Sequence, residues 1–170
     1  MLNDLHIDDF CQDVARTFIQ LYKRFPLKEI LYLDDICGPD EVDEFGLHSK
    51  RHMACLAAIG WLANAGYIDY DSVIKEEAYE GAVLSHKAFT FLAALETDQS
   101  RYPVFYKTRT KHSSAPDARD RHSTEPEDEI LDISGPLRRI DLIFYTVKHS
   151  SSDELKSLIV SFFLVANEYR

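Results

Sequence analysis

The feature that most constrains the fold is Met53–Ala63, a run of eleven residues that is apolar on every side of a helix. Ser49 is placed to cap the start of this helix, and Gly66 is placed to end it in the left-handed conformation. A helix that is apolar all round is usually covered on both sides. We therefore expect one side to pack on a helix at Phe10–Phe25, and the other on the C-terminal helix, a second subunit or a partner.

Helical and strand patterns alternate on both sides of this apolar helix. Apolar residues three and four positions apart predict an amphipathic helix that begins near Asp8 and ends before Pro26. After Gly66, the pattern predicts a strand, a loop or hairpin tip, and a return strand. The predicted order is helix 8–25, strand 28–33, a short helix within 34–45, helix 49–65, strand 67–71, loop 72–80, strand 81–84 and helix 85–95.

This order of elements resembles a winged helix-turn-helix domain over about residues 8–96, slightly more than half of the chain. In many such domains a helix closes on Leu and Gly, a strand and a variable wing follow, and a second strand leads into a helix through Leu and Ser or Thr. The residues at those places are Leu62, Gly66, Tyr67, Ile68, Leu84 and Ser85. The resemblance implies that Ser49–Ala65 is the recognition helix, with its N-terminal residues at the DNA.

The composition changes after Glu96. Residues 112–128 are nearly free of apolar side chains and predict a flexible segment, because such a segment cannot bury enough surface to fold. Two helices are predicted near the C-terminus, the second with Ser151 and Glu154 at capping-box spacing. We predict an α+β, mostly helical protein with a winged-helix-like domain and small β-hairpin wing at 1–97, a flexible linker or basic arm at 98–128, and a helical segment at 129–170.

The net charge is −10 at pH 7 and argues against a generic nucleic-acid coat, because phosphate binding needs clustered Lys and Arg. The charge is distributed in blocks along the chain. The acidic blocks are 1–46 (−7), 67–100 (−5) and 123–137 (−5), and the positive blocks are 47–66 (+2) and 101–122 (+4). A DNA contact, if the protein makes one, must use the two positive blocks.

The positive blocks supply eight candidate DNA contacts: Ser49, Lys50, Arg51, His52, Arg101, Lys107, Arg109 and Lys111. The first four lie at the start of the recognition helix that the resemblance implies, where side chains can reach phosphates or bases. The other four form a basic arm that could bind by counterion release or fold onto the protein's own acidic surface. The predicted wing departs from the DNA-binding pattern, because its glutamates at 76, 77 and 80 would repel phosphate.

The leading predicted function is a small non-enzymatic regulatory or adaptor module that binds a macromolecule, with protein favoured over DNA. Six apolar residues are the candidates for a subunit or partner interface: Met53, Ile59, Trp61, Phe144, Phe162 and Phe163. Two adjacent amphipathic helices after a linker commonly build a dimer face, so we expect a homodimer, although a monomer can fold them back on itself. The alternative function is a DNA-binding transcriptional regulator of winged-helix type.

Three residues with metal-binding side chains, His48, His52 and Cys55, would share one face of a helix. They could hold zinc with a fourth ligand such as Cys37, but we adopt the simpler interpretation of two histidines near solvent and a small buried cysteine. The carboxylates at 34–35 and 40–44 are interpreted as a solvated acidic surface. The sequence contains no phosphate loop or catalytic signature, so we predict no enzyme activity, cofactor or small-molecule ligand.

The sequence predicts a cytoplasmic protein. Its three cysteines have no paired spacing, which suits a reducing compartment. Its first ten residues are acidic and lack the basic and apolar regions of a secretory signal. The two longest apolar runs have nine to eleven residues, well short of the ~20 that cross a bilayer, so no membrane partner is expected.

Overall fold

A computed structural model describes residues 5–96 and 137–168, with side chains in the last helix described as far as Ala166. These residues form an α+β structure with six helices and short antiparallel strands. The helices are α1 (Leu5–Arg24), α2 (Leu33–Cys37), α3 (Lys50–Asn64), α4 (His86–Ala93), α5 (Arg139–His149) and α6 (Ser152–Glu168). The strands are β1 (Glu29–Tyr32), β2 (Ile68–Asp69), β3 (Ser72–Ile74), β4 (Ala78–Leu84), β5 (Leu95–Glu96) and β6 (Leu137–Arg138). The predicted linker at 98–128 lies outside the described residues.

The predicted start and end of α3 are both confirmed. The Oγ of Ser49 accepts a hydrogen bond of 3.2 Å from a backbone N–H in the first turn of the helix. Gly66 has a φ of 74°, in the left-handed region that favours glycine. The N–H groups of Gly66 and the next residue donate to the carbonyls of Ala63 and Leu62, both at 2.9 Å, which satisfies carbonyl groups that the helix end leaves free.

The main sheet is antiparallel, with strand order β1–β4–β2, and β3 also pairs with β4. The sequence predicts a loop or hairpin tip over 72–80, whereas the structure pairs Ser72–Ile74 with the start of β4. Lys75 and Glu76 both have positive φ, of 46° and 60°, which is the conformation of a tight hairpin turn. The strand is missed because it has three residues and no buried side chain to produce an alternating pattern.

A two-stranded ladder joins the two described ranges of the chain. Strand β5 pairs with β6, and the backbone N–H of Arg139 donates to the carbonyl of Ala94 at 3.0 Å. Beside this ladder, the Nε of Arg139 lies 3.3 Å from the Oε2 of Glu96, and both side chains are buried. The ladder and the ion pair therefore hold the start of α5 next to the end of α4.

One hydrophobic core contains residues from both ranges. Helix α1 runs through this core and packs against α3, α5 and α6. The large side chains that are fully buried include Val14, Leu21, Ile59, Leu62, Leu92, Leu142, Ile143 and Ile159. The C-terminal helices thus pack on α1 within the same chain. None of the described helices is long and apolar enough to span a membrane.

Helix α3 buries one side and leaves the other exposed. Cys55, Ile59 and Leu62 face the core, whereas Met53 is 39% exposed and Trp61 is 45% exposed. The described residues of the chain itself therefore cover the outer side of α3 only in part, through the contact of Trp61 with Phe10 and Phe163. The exposed side also contains the small residues Ala54 and Ala57.

Candidate functional site

Three polar side chains meet at the N-terminal end of α3: Asp40, His48 and His52. The first two lie in the loop 38–49 between α2 and α3, and His52 lies in the first turn of α3. One ligand-type atom from each residue lies within 4.8 Å of the others. The two imidazole rings stack with centroids 4.3 Å apart, and the Nδ1 of His48 lies 2.8 Å from the Oδ2 of Asp40.

The ring of His52 is fixed by the turn between β3 and β4. This side chain is 3% exposed, and its Nε2 lies 2.8 Å from the backbone carbonyl oxygen of Glu76. A carbonyl oxygen only accepts, so Nε2 carries the hydrogen and Nδ1 of the neutral ring presents a lone pair. That Nδ1 has no hydrogen-bond partner among the described residues, and it lies 3.8 Å from Asp40 Oδ2 and 3.7 Å from Asp34 Oδ1.

The loop before α3 orients the carboxylate of Asp40. Its Oδ1 accepts a hydrogen bond of 3.3 Å from the backbone N–H of Ser49, while its Oδ2 lies near the two imidazole rings. Hydrogen bonds from Ser49, and then from His48, hold the pKa of Asp40 below its usual range. The hydrogen bond to Asp40 in turn raises the pKa of His48. The cluster therefore places an ionised carboxylate beside two imidazoles.

Cys55, the third residue of the sequence-predicted zinc set, does not join the two histidines. Its side chain is fully buried, its thiol interacts with that of Cys37, and burial raises its pKa well above the usual value. The helical face predicted for the set fails because His48 precedes the cap of α3. Asp40 takes the third place instead. The sequence predicts a solvated surface at this position, because a loop residue gives no periodic signal that would connect it to the histidines.

Two of the four candidate DNA contacts on α3 are used inside the chain. Arg51 donates two hydrogen bonds to the buried carboxylate of Asp13, one of them 2.8 Å long, and His52 is buried against the β3–β4 turn. Both side chains are therefore engaged within the chain, with His52 buried and Arg51 still 31% exposed. Ser49 caps the helix, and Lys50 is exposed beside it. The four arm candidates lie outside the described residues: Arg101, Lys107, Arg109 and Lys111.

The candidate interface residues separate into core and surface positions. Ile59 and Phe162 are buried in the chain's own core, so the prediction that they contact a partner is wrong. Met53 and Trp61 are exposed on the outer side of α3. Phe163 is half-buried on α6, and its ring centroid lies 5.2 Å from that of Trp61.

Phe144, the sixth interface candidate, lines a groove of about 430 Å³ between α1, α2 and α5. The ammonium groups of Lys23 and Lys148 lie 5.4 and 4.4 Å from the centroid of its ring. Cation–π contacts of this kind are worth about 0.5–1 kcal/mol at exposed sites. Glu29 and Asp35 also line the groove, so its surface carries both signs of charge. Phe144 therefore packs among charged groups of its own chain.

The function of this fold has to be inferred from its own residues. No family model, curated protein or solved structure matches the chain. Within the described ranges, two features of α3 offer chemistry beyond the core: the His–Asp cluster at its N-terminal end and the exposed apolar residues on its outer side.

Proposed function

We propose that the protein is a small non-enzymatic regulatory or adaptor module that acts through protein contact, and that two copies associate through the outer side of α3. The observation that carries the proposal is an exposed apolar stripe on this helix, formed by Met53, Ala54, Ala57 and Trp61. Contiguous apolar surface that a chain leaves uncovered marks interaction sites.

The stripe is symmetric about Ala57, which favours a second copy of this chain as the occupant. Met53 and Trp61 each lie four residues from Ala57, about one helical turn away on the same face. If two α3 helices cross antiparallel at Ala57, each Met53 meets the partner's Trp61, and a thioether against an aromatic ring is a favourable contact. The small alanines let the two helices approach closely, and the contact closes with two-fold symmetry.

Trp61 is held in place by aromatic residues of its own chain. Its ring contacts Phe10 and Phe163 edge to face, with centroids 5.2 Å away in both cases. An aromatic side chain that is already fixed loses little conformational entropy when it binds. The stripe itself contains no charged residue, whereas the whole chain has a net charge of −10. Apolar contact at this place is therefore favoured over contact elsewhere on the acidic surface.

The fold assignment that accompanies this proposal is a winged-helix-like domain. It is supported by the order α1–β1–α2–α3–β2–β3–β4 and by the strand order β1–β4–β2. DNA binding by such a domain is the alternative function, and the described residues favour it less. Arg51 is paired with Asp13, and the turn beside the start of α3 carries exposed Glu76 and Glu77, which would repel phosphate.

Sedimentation equilibrium of untagged protein tests the proposed dimer. We expect the mass to approach twice 19.6 kDa as concentration rises, and Ala57→Glu to return it to one chain. Val160→Glu is the matched control, because it adds the same charge at an exposed position of another helix, and it should leave the dimer intact. A wild-type monomer at the highest concentration, or a dimer that Ala57→Glu does not weaken, contradicts the proposal.

Fluorescence anisotropy with a labelled DNA duplex tests the alternative function. DNA binding predicts an increase in anisotropy that falls as salt is added and that Lys50→Ala weakens, because phosphate contacts release counterions. No increase even at low salt excludes this alternative. An increase by a protein that remains monomeric would replace the proposed function with DNA binding.

A further inference from the structure

We propose that Asp40, His48 and His52 form a binding site for a divalent transition-metal ion, and that zinc is the ion the site fits best. The observation that carries this proposal is the Nδ1 of His52, a buried nitrogen without a hydrogen-bond partner in the described part of the chain. It does not depend on the dimer, because the apolar stripe is a separate feature of α3.

Two carboxylates surround this nitrogen, and neither is close enough to share a hydrogen bond with it. With the hydrogen of His52 on Nε2, the lone pair of Nδ1 faces carboxylate oxygens of Asp34 and Asp40 at 3.7 and 3.8 Å. Both distances exceed the ~2.7–3.2 Å of an N–H···O hydrogen bond, so a proton on Nδ1 is shared well with neither carboxylate. A metal ion placed between Nδ1 and the carboxylate oxygens would accept a lone pair from each of them, and these atoms would become its ligands.

The spacing of the three ligand atoms suits a single ion. Zinc bonds to nitrogen and oxygen are about 2.0–2.2 Å long and point to the corners of a tetrahedron, so two ligands of one zinc ion lie about 3.4 Å apart. The ligand atoms of Asp40, His48 and His52 lie within 4.8 Å of one another. Changes of up to about 1.4 Å in these separations therefore bring the three atoms to tetrahedral spacing around one ion. Asp34, whose side chain is mostly exposed, or a water molecule can take the fourth position.

The ligand types and their supporting contacts favour zinc over magnesium or calcium. Those two ions take oxygen ligands, whereas two imidazoles and a carboxylate suit zinc and its neighbours in the transition series. Metal-bound histidines usually donate their other N–H to a carbonyl or carboxylate, as the Nε2 of His52 does to the carbonyl of Glu76. The backbone N–H of Ser49 holds one oxygen of Asp40, which leaves the other beside the rings.

A bound ion would connect three parts of the structure. It would join the loop 38–49 to the first turn of α3 and, through the contact between His52 and Glu76, to the β3–β4 hairpin. The loop contains neither helix nor strand, so a bound ion would further restrict its backbone. Because an ion that binds only the folded chain stabilises it, zinc should raise the unfolding temperature.

Isothermal titration calorimetry of untagged, chelator-treated protein with zinc chloride tests the site. We expect one zinc ion per chain and a rise in unfolding temperature that a chelator reverses. Asp40→Asn and His48→Gln each remove one ligand with little change in size, and each should weaken zinc binding by about tenfold or more. His86→Gln replaces an exposed histidine on α4 and is the matched control that should bind like wild type.

Nuclear magnetic resonance of the histidine rings provides a second test that needs no variant. Zinc should shift the ring signals of His48 and His52 and leave those of His86 unchanged. The proposal is overturned if the wild-type protein binds no zinc, or if other histidines shift instead. It is equally overturned if folded Asp40→Asn and His48→Gln bind zinc as tightly as wild type, or if magnesium stabilises the protein more than zinc.

Discussion

Arg51 and Asp13 join α3 to α1 through an ion pair that is largely out of water. The side chain of Asp13 is 1% exposed, and both terminal nitrogens of Arg51 donate to its two carboxylate oxygens. A buried carboxylate needs such a partner, because burial removes the water that stabilises its charge. The pKa of an arginine is high in any case, and the hydrogen bonds to Asp13 raise that of Arg51 above its usual value. The guanidinium therefore remains charged.

Removing the arginine alone should therefore destabilise the fold strongly. We expect Arg51→Ala to lower the free energy of unfolding by about 3–5 kcal/mol, because it leaves the charge of Asp13 buried and unpaired. Urea denaturation followed by circular dichroism measures this loss. Arg24→Ala is the control, because its contact with Glu29 is solvent-exposed on the arginine side and should be worth about 0–1 kcal/mol. Similar small losses in both variants would contradict the role assigned to the pair.

The residues whose roles the sequence predicts correctly make their contacts with residues close to them in the chain. Ser49 and Gly66 shape the ends of α3 through contacts within five residues, so their effect can be read from the sequence. Arg51 pairs with a residue 38 positions earlier, and the sequence therefore shows its charge but not its partner. The same limitation separates Asp40 from His52, because only the folded loop brings them together.

Gly66 and Gly81 both have left-handed backbone, but they differ in the space available for a side chain. Gly66 ends α3 with a φ of 74°, and Gly81 lies in β4 with a φ of 67°. A Cβ at Gly66 would meet nothing within 4 Å, whereas a Cβ at Gly81 would lie 2.1 Å from the Oδ2 of Asp71. Gly66→Ala should cost about 1–2 kcal/mol from backbone strain alone. Gly81→Ala should cost more, as measured by urea denaturation.

A second substitution separates strain from steric overlap at Gly81. Asp71→Ala in the Gly81→Ala background removes the carboxylate and leaves only the Cβ of residue 71, 3.2 Å away, so most of the excess cost over Gly66→Ala should disappear. The correction for the lost ion pair between Asp71 and Lys28 is small, because that pair is exposed and worth about 0–1 kcal/mol. If Gly81→Ala costs no more than Gly66→Ala, the side chain of Asp71 moves aside and the steric explanation is wrong.

At the scale of the whole molecule, segments separated along the sequence share one core. Ile143 of α5 and Ile159 of α6 are as fully buried as Val14 of α1, and all three belong to one cluster. The sequence predicts separate segments at 1–97 and 129–170, because a polar stretch divides them. A polar stretch marks a change in composition, but it does not show whether its flanks pack together. That packing depends on α1 burying side chains against α3, α5 and α6 at once.

A shared core should unfold as one cooperative unit, and Trp61 provides the probe. It is the single tryptophan of the chain and lies in α3, whereas Ile143 lies in α5. Ile143→Ala should lower the free energy of unfolding reported by tryptophan fluorescence by about 2–5 kcal/mol, because it opens a cavity in the core. Circular dichroism should give the same midpoint.

Val160→Ala, at an exposed position of α6, is the control for this last substitution and should change stability by less than about 0.5 kcal/mol. The comparison distinguishes a shared core from two units that merely touch, because only a shared core transmits a cavity in α5 to a probe in α3. If Ile143→Ala leaves the fluorescence transition of Trp61 unchanged while circular dichroism shows a second, earlier transition, the two ranges unfold separately and the core is not cooperative.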